Sequence, residues 1–205
     1  MNKKNVALVI NLLIVIFEIV GFVITIKENG RLGIEYYTED SNILCLIISF
    51  IYIFNIIFNK KISKYLKMFK YISTVCLTVT FLVVILILAP MYNFNDGFLL
   101  FHNEFLYHHL LCPLLCIISF IFFDGVSNYS IKDSIVASIA TLLYGVVLIV
   151  LNIVRVVDGP YPFLRIYSQP LYMSIIWIVV ILCISYFIAL ILRYFNNLVN
   201  KGKKV

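Results

Sequence analysis

Charge is what this sequence lacks. Only 13% of its 205 residues are Asp, Glu, Lys or Arg, while 63% are hydrophobic and the mean hydropathy is +1.05. A soluble domain carries roughly twice that share of charge. So little hydratable surface excludes a soluble enzyme or a nucleic-acid binder. The strict two-residue alternation of a membrane β-barrel is also missing. No small-residue cleavage site ends the apolar run after Met1-Asn2-Lys3-Lys4, so that run reads as a retained first helix. Low-complexity segments and long linkers are absent, which predicts a single domain over residues 1–205. Cys45, Cys76, Cys112, Cys116 and Cys183 all lie inside apolar runs. No loop pair can build a disulfide framework, and the thiols read as small packing groups. Nor is there an inverted repeat of hydrophobic segments, which counts against a transporter of that design.

What the chain has is long apolar windows. A spanning helix needs about 20 such residues to cross about 30 Å of hydrocarbon. Six windows qualify: Val6–Ile26, Thr38–Phe58, Ile72–Tyr92, Phe105–Phe123, Ile135–Ile153 and Leu171–Tyr194. The second is short unless it starts near Thr38. The expected fold is all-α, a polytopic bundle of six transmembrane helices. Twelve basic residues fall on one side: Lys3, Lys4, Lys60, Lys61, Lys64, Lys67, Lys70, Lys132, Arg193, Lys201, Lys203 and Lys204. Four fall on the other: Lys27, Arg31, Arg155 and Arg165. Basic loops stay inside, so both termini are expected to be cytoplasmic in a multi-pass cell-membrane protein. Glu28, Glu35, Glu39, Asp40, Asp96, Glu104 and Asp158 fall outside, against Asp124 and Asp133 inside.

Three polar stretches meet that outer boundary. The first is Tyr36-Tyr37-Thr38-Glu39-Asp40-Ser41-Asn42. The second runs from His102-Asn103-Glu104 to His108-His109 and holds all the histidines. The third is Asp158-Gly159-Pro160-Tyr161-Pro162-Phe163. Polar groups at membrane depth must pair or line a wet cavity, which predicts that the stretches converge on an outward-facing pocket. Thr38 and Asn42 share a helix face. Thr38, Asp40 or Ser41 can cap the helix start, or Thr38 can be a nucleophile once a base takes its proton. His108 and His109 are the candidate bases. Adjacent helical residues point about 100° apart, so one histidine at most is expected to face a given site. Pro113, one turn on, is expected to kink the helix. Asn42 or Asn103 can donate to an oxyanion, and Glu104 or Asp158 can orient the imidazole. Glu18, inside helix one, is ionisable at membrane depth and so a candidate to face the pocket from below. His108, Cys112 and Cys116 form a stripe with metal-ligating chemistry, yet one helix supplies too few ligands; no metal or cofactor is assigned.

Tyr37-Thr38-x-x-Ser41-Asn42, His109-x-x-x-Pro113 and Tyr161-Pro162-Phe163, in this order, resemble the prokaryotic six-transmembrane-helix potential-receptor family. That family has Tyr-Phe-Thr-x-x-Ser-Asn, Leu-His-x-x-x-Pro and Tyr-Pro-Phe stretches. Here Tyr37 stands for the Phe and His108 for the Leu. The family is distantly similar to the androgen-induced threonine hydrolases that cleave fatty acid esters of hydroxy fatty acids. The resemblance implies that Thr38 is the nucleophile. The bacterial spacing picks His109 as its base, and the animal spacing picks His108. The expected function is thus a Thr/His-dependent lipid-ester hydrolase or acyl-transfer enzyme. Its partners would be membrane lipids and an amphiphilic small molecule, not nucleic acid. A receptor binding a small or lipidic ligand, with the loop from Asn59 to Lys70 engaging a partner, is the alternative. A transporter or haem protein is a further one. Oligomeric state is not encoded legibly.

Overall fold

The computed structural model describes residues 2–91, 103–124 and 128–201. Among them are six helices long and apolar enough to cross a membrane, and no strand. They are α1 (Lys3–Asn29), α2 (Tyr37–Ile57), α3 (Lys64–Met91), α4 (Asn103–Phe123), α5 (Ile131–Ile153) and α6 (Leu171–Asn200). Asp96, His102 and the expected helix end at Tyr92 lie outside the described residues.

Local chemistry sets the helix ends. Asn2 caps α1 through the Lys4 N–H, and Gly30 closes it in the left-handed region at φ 73°. Ser63 caps α3 through Leu66 N–H, so that helix starts eight residues before the apolar window. Ser130 and Asp133 form a capping box on α5. The expected cap on α2 is not formed. Tyr36 stands at the cap position with no side-chain bond, Thr38 lies inside the first turn, and Ser41 donates to Tyr37 O instead.

Helix α3 is the most buried of the six and packs against α2, α4, α5 and α6. Its Tyr71 stacks on Phe120 of α4 at 5.0 Å and donates to Ala189 O of α6 at 2.6 Å. Hydroxyl bonds join α2 to the α5–α6 pair: Tyr37 to Thr141 at 2.8 Å, and Thr141 to Ser185 at 2.9 Å. The outer faces of α5 and α6 are branched aliphatics such as Ile135, Ile139, Val146 and Ile176, the surface a hydrocarbon solvent requires.

Helix α4 departs from regular geometry. Cys112 N–H reaches back to Tyr107 O and Asp124 N–H to Ser119 O at 2.9 Å, so two of its turns are widened by one residue. The first lies just before Pro113. The proline ring cannot tolerate a tight turn against the carbonyl four residues earlier; the expected kink takes the form of a widened turn.

Polar chemistry is not confined to one end. Lys70, counted above as a loop lysine, is 0% exposed inside α3. Its ammonium donates to Asn11 Oδ1 of α1 at 2.8 Å and Ser49 Oγ of α2 at 3.3 Å, and lies 3.5 Å from Asp124 Oδ2 at the end of α4. Asp124 Oδ1 in turn accepts from Asn11 at 3.0 Å and Ser119 at 2.8 Å. Lys70 is therefore a tie among four helices, not a topology signal or a partner-binding residue. Truncating one partner of such a pair strands the other charge, at about 3–5 kcal/mol. Lys70→Met and Asp124→Leu alone should each lower the midpoint of thermal unfolding in detergent micelles sharply, whereas the double variant should recover much of the loss.

Candidate functional site

The α1–α2 connection, the start of α4 and the α5–α6 connection meet at the end of the bundle opposite Lys70. They enclose a cavity of about 690 Å³ that Thr38, Glu39, Glu104, His108, His109 and Tyr161 line. Thr38 Oγ1 lies 3.4 Å from His109 Nε2, hydrogen-bonding range for a hydroxyl and an imidazole. Of the two candidate histidines, His109 is the one that faces the threonine.

His108 nonetheless faces inward as well. It is 1% and His109 7% exposed, and both line the cavity. The expectation that only one could do so assumed a regular helix. Both residues lie in the widened turn before Pro113, where successive side chains diverge less. His108 Nε2 is 3.5 Å from Glu18 Oε2 and 3.4 Å from the Glu18 carbonyl. Glu18, fully buried in α1, reaches the site through His108 rather than lining the cavity itself. Phe22 packs on the His108 ring at 4.6 Å. Gly21 makes room for it, because a Cβ there would overlap the imidazole.

The other expected residues divide. Asn42 Nδ2 donates to Thr38 O at 2.8 Å and His108 O at 3.5 Å, so it ties α2 to α4 and is not free to donate to an oxyanion. Asn103 is exposed at φ 50° at the start of α4 and does not line the cavity. Asp158 is exposed on a neighbouring cleft and does not orient an imidazole. Glu104 does line the cavity, but His109 Nδ1 has no hydrogen-bond partner; Phe105 holds the ring instead, stacked at 4.9 Å.

Two features escaped the sequence reading. First, α2 starts without a side-chain cap, so its leading N–H groups are unused by the helix. The Tyr161 hydroxyl lies against Thr38 and the N–H groups of Tyr37 and Thr38; burial pushes that phenol up to about 12, and these donors pull the other way. Second, an apolar pocket of about 110 Å³ lies among α3, α5 and α6, lined by residues such as Val83, Leu142, Phe163 and Trp177. Thr38 and Tyr161 line both spaces and so stand at their junction. A missing cap and a pocket shared by three helices leave no local motif to find. Among the described residues no three His, Cys, Asp or Glu side chains converge as a metal-ligating group. Comparison with protein-family models, curated proteins and solved structures finds no match to this chain.

The Gly21 contact is directly testable. Gly21→Ala should displace His108 and cost about 1–3 kcal/mol by overpacking. Gly145→Ala, where an added Cβ meets nothing within 4 Å, should leave micelle melting curves unchanged or slightly raised.

Proposed function

We propose that this protein is a membrane-embedded hydrolase or acyl-transfer enzyme for an amphiphilic ester. One observation carries the reading: the Thr38 hydroxyl meets His109 Nε2 at 3.4 Å, and Thr38 borders both a polar cavity and an apolar pocket. An amphiphile lies across such a junction with its ester at the hydroxyl. His109, neutral and carrying its proton on Nδ1, takes the Thr38 proton at Nε2 as Oγ1 attacks the carbonyl carbon. The leading N–H groups of α2, freed as Tyr161 withdraws, donate to the oxyanion, with the positive end of the helix dipole behind them. The intermediate collapses, His109 returns the proton to the departing alkoxide, and an acyl-threonine remains. Water, or a second alcohol in a transfer reaction, then attacks that acyl group with His109 again as base. The resemblance to the threonine hydrolases supports Thr38 as the nucleophile, while it is the bacterial spacing, not the animal one, that supports His109.

A second reading draws on one observation. His109 Nδ1 lacks the acceptor that orients the imidazole in a full triad. A receptor that binds the same amphiphile without reaction needs no such acceptor.

The two readings separate on turnover of long-chain nitrophenyl esters by purified protein. Thr38→Ala and His109→Ala should each lower kcat by at least about a hundredfold, while Thr38→Ser retains measurable activity. Unchanged turnover in both losses, or none in the wild type with tight binding intact, would favour the receptor.

The reading also orients the chain. With Lys70 set aside, nine basic residues among the described ones (Lys3, Lys4, Lys60, Lys61, Lys64, Lys67, Lys132, Arg193 and Lys201) still crowd the end opposite the cavity, against four at the cavity end. The cavity then faces outward and both termini face the cytoplasm. Single cysteines at Lys61 and at Arg165, placed in a background lacking the native thiols, check this in intact cells. An impermeant maleimide should label the second and spare the first.

A further inference from the structure

We propose that the polar cavity is a headgroup site for a lipid carrying a positively charged ammonium. The inference rests on the reading of the junction as an amphiphile site and names the class of amphiphile.

Three carboxylates, Glu35, Glu39 and Glu104, and two guanidiniums, Arg31 and Arg165, line the cavity, so its acidic groups outnumber its basic ones. Glu39 is 8% exposed, and its Oε2 is buried without a hydrogen-bond partner; the same holds for Glu104 Oε2. Neither of the two lining cations pairs with Glu39 or Glu104. Arg31 pairs with Glu35, and Arg165 Nε donates to the Gly159 carbonyl at 3.1 Å. Among the described residues no ion pair involves Glu39 or Glu104. Burying a carboxylate without a counter-charge is costly, and a cationic ligand removes that cost.

Independent features say what kind of cation. Both histidines line the cavity, and the Nδ1 of each is buried without a partner. The same wall presents the rings of Tyr36, Phe105 and Tyr161. Aromatic faces beside carboxylates suit an organic ammonium through cation–π attraction. A bare metal ion would need a converging ligand set, and the described residues supply none. The cavity's size is that of a small-molecule site. The apolar pocket lies on the other side of Thr38 and Tyr161, where a hydrocarbon chain joined to the ammonium would fit. An ethanolamine- or choline-type headgroup has that chemistry.

The only tryptophan, Trp177, lines the apolar pocket and packs on Phe163 at 5.5 Å, so it reports chain occupancy. Two lipids sharing one brominated chain, with phosphoethanolamine or phosphoglycerol heads, are titrated into purified Thr38→Ala protein in maltoside micelles, where no turnover interferes. The ethanolamine lipid should half-quench Trp177 at a concentration about tenfold lower. Glu39→Gln with Glu104→Gln should abolish that preference while quenching by the phosphoglycerol lipid persists, which also reports an intact fold. Should the double variant not fold, Glu104→Gln alone should reduce the preference to about threefold or less. Equal half-quenching by the two lipids, or a full preference surviving these substitutions, overturns the proposal. Ester turnover is scored separately. An ammonium preference in a protein without turnover keeps the headgroup site and removes only the hydrolase reading; turnover without a preference does the reverse.

Discussion

An ammonium group in an apolar bundle must find every acceptor within the protein, and Lys70 finds three on three different helices. The rest of the fold follows from that constraint. Asn11, Ser49 and Asp124 can meet Lys70 only if α1, α2 and α4 each approach α3 at one depth and rotation. The network therefore specifies a register that aliphatic packing alone leaves loose, since lipid competes with protein for apolar contact. Once α1, α2 and α4 are fixed at that end, their opposite ends are fixed too. Thr38, His108, His109 and Glu18 sit on those three helices.

The two ends of the bundle contrast in how their polar groups are used. Around Lys70 the donors and acceptors interlock, with Asn11 giving one amide hydrogen-bond set to Ala7, Ser119 and Asp124. Around Thr38, buried atoms of Glu18, Glu39, Asn42, Glu104, His108 and His109 are left without partners. Unpartnered atoms occur at the other end too, at Asp124 Oδ2, which faces Lys70 at 3.5 Å, and at Arg193 Nε and Asn196 Oδ1, but they are more numerous around the cavity. The function is read at the unsatisfied end for that reason.

The helices were legible because apolar length is a local property; the caps at Asn2, Ser63 and Ser130 lie outside the apolar windows and went unread, so α1, α3 and α5 start earlier than expected. The pairing of Thr38 with a histidine was legible as residue types, but its geometry was not. Both histidines reach the cavity from the widened turn before Pro113, but His109 meets Thr38 while His108 meets Glu18, a division that residue types alone do not reveal. Lys70 was misread because it follows Lys60, Lys61, Lys64 and Lys67 in a basic run; its burial depends on Asp124, 54 positions away. Asn103 and Asp158 have suitable chemistry and the right boundary, but backbone direction turns them outward. In each case the missing information was tertiary.

The hydroxyl contacts of α5 and α6 differ in kind from the charge network. Interhelical hydrogen bonds in membranes average only about 0.6 kcal/mol, so the Tyr37–Thr141–Ser185 chain is a light fastening beside Lys70 and Asp124. The apolar pocket lies along the seam that this chain closes, between α3 and the α5–α6 pair. The bundle is thus a four-helix frame braced by charge, on which α5 and α6 pack through apolar side chains and neutral hydrogen bonds. On the function proposed above, a hydrocarbon tail would reach the apolar pocket sideways along that seam, without ever leaving the oil.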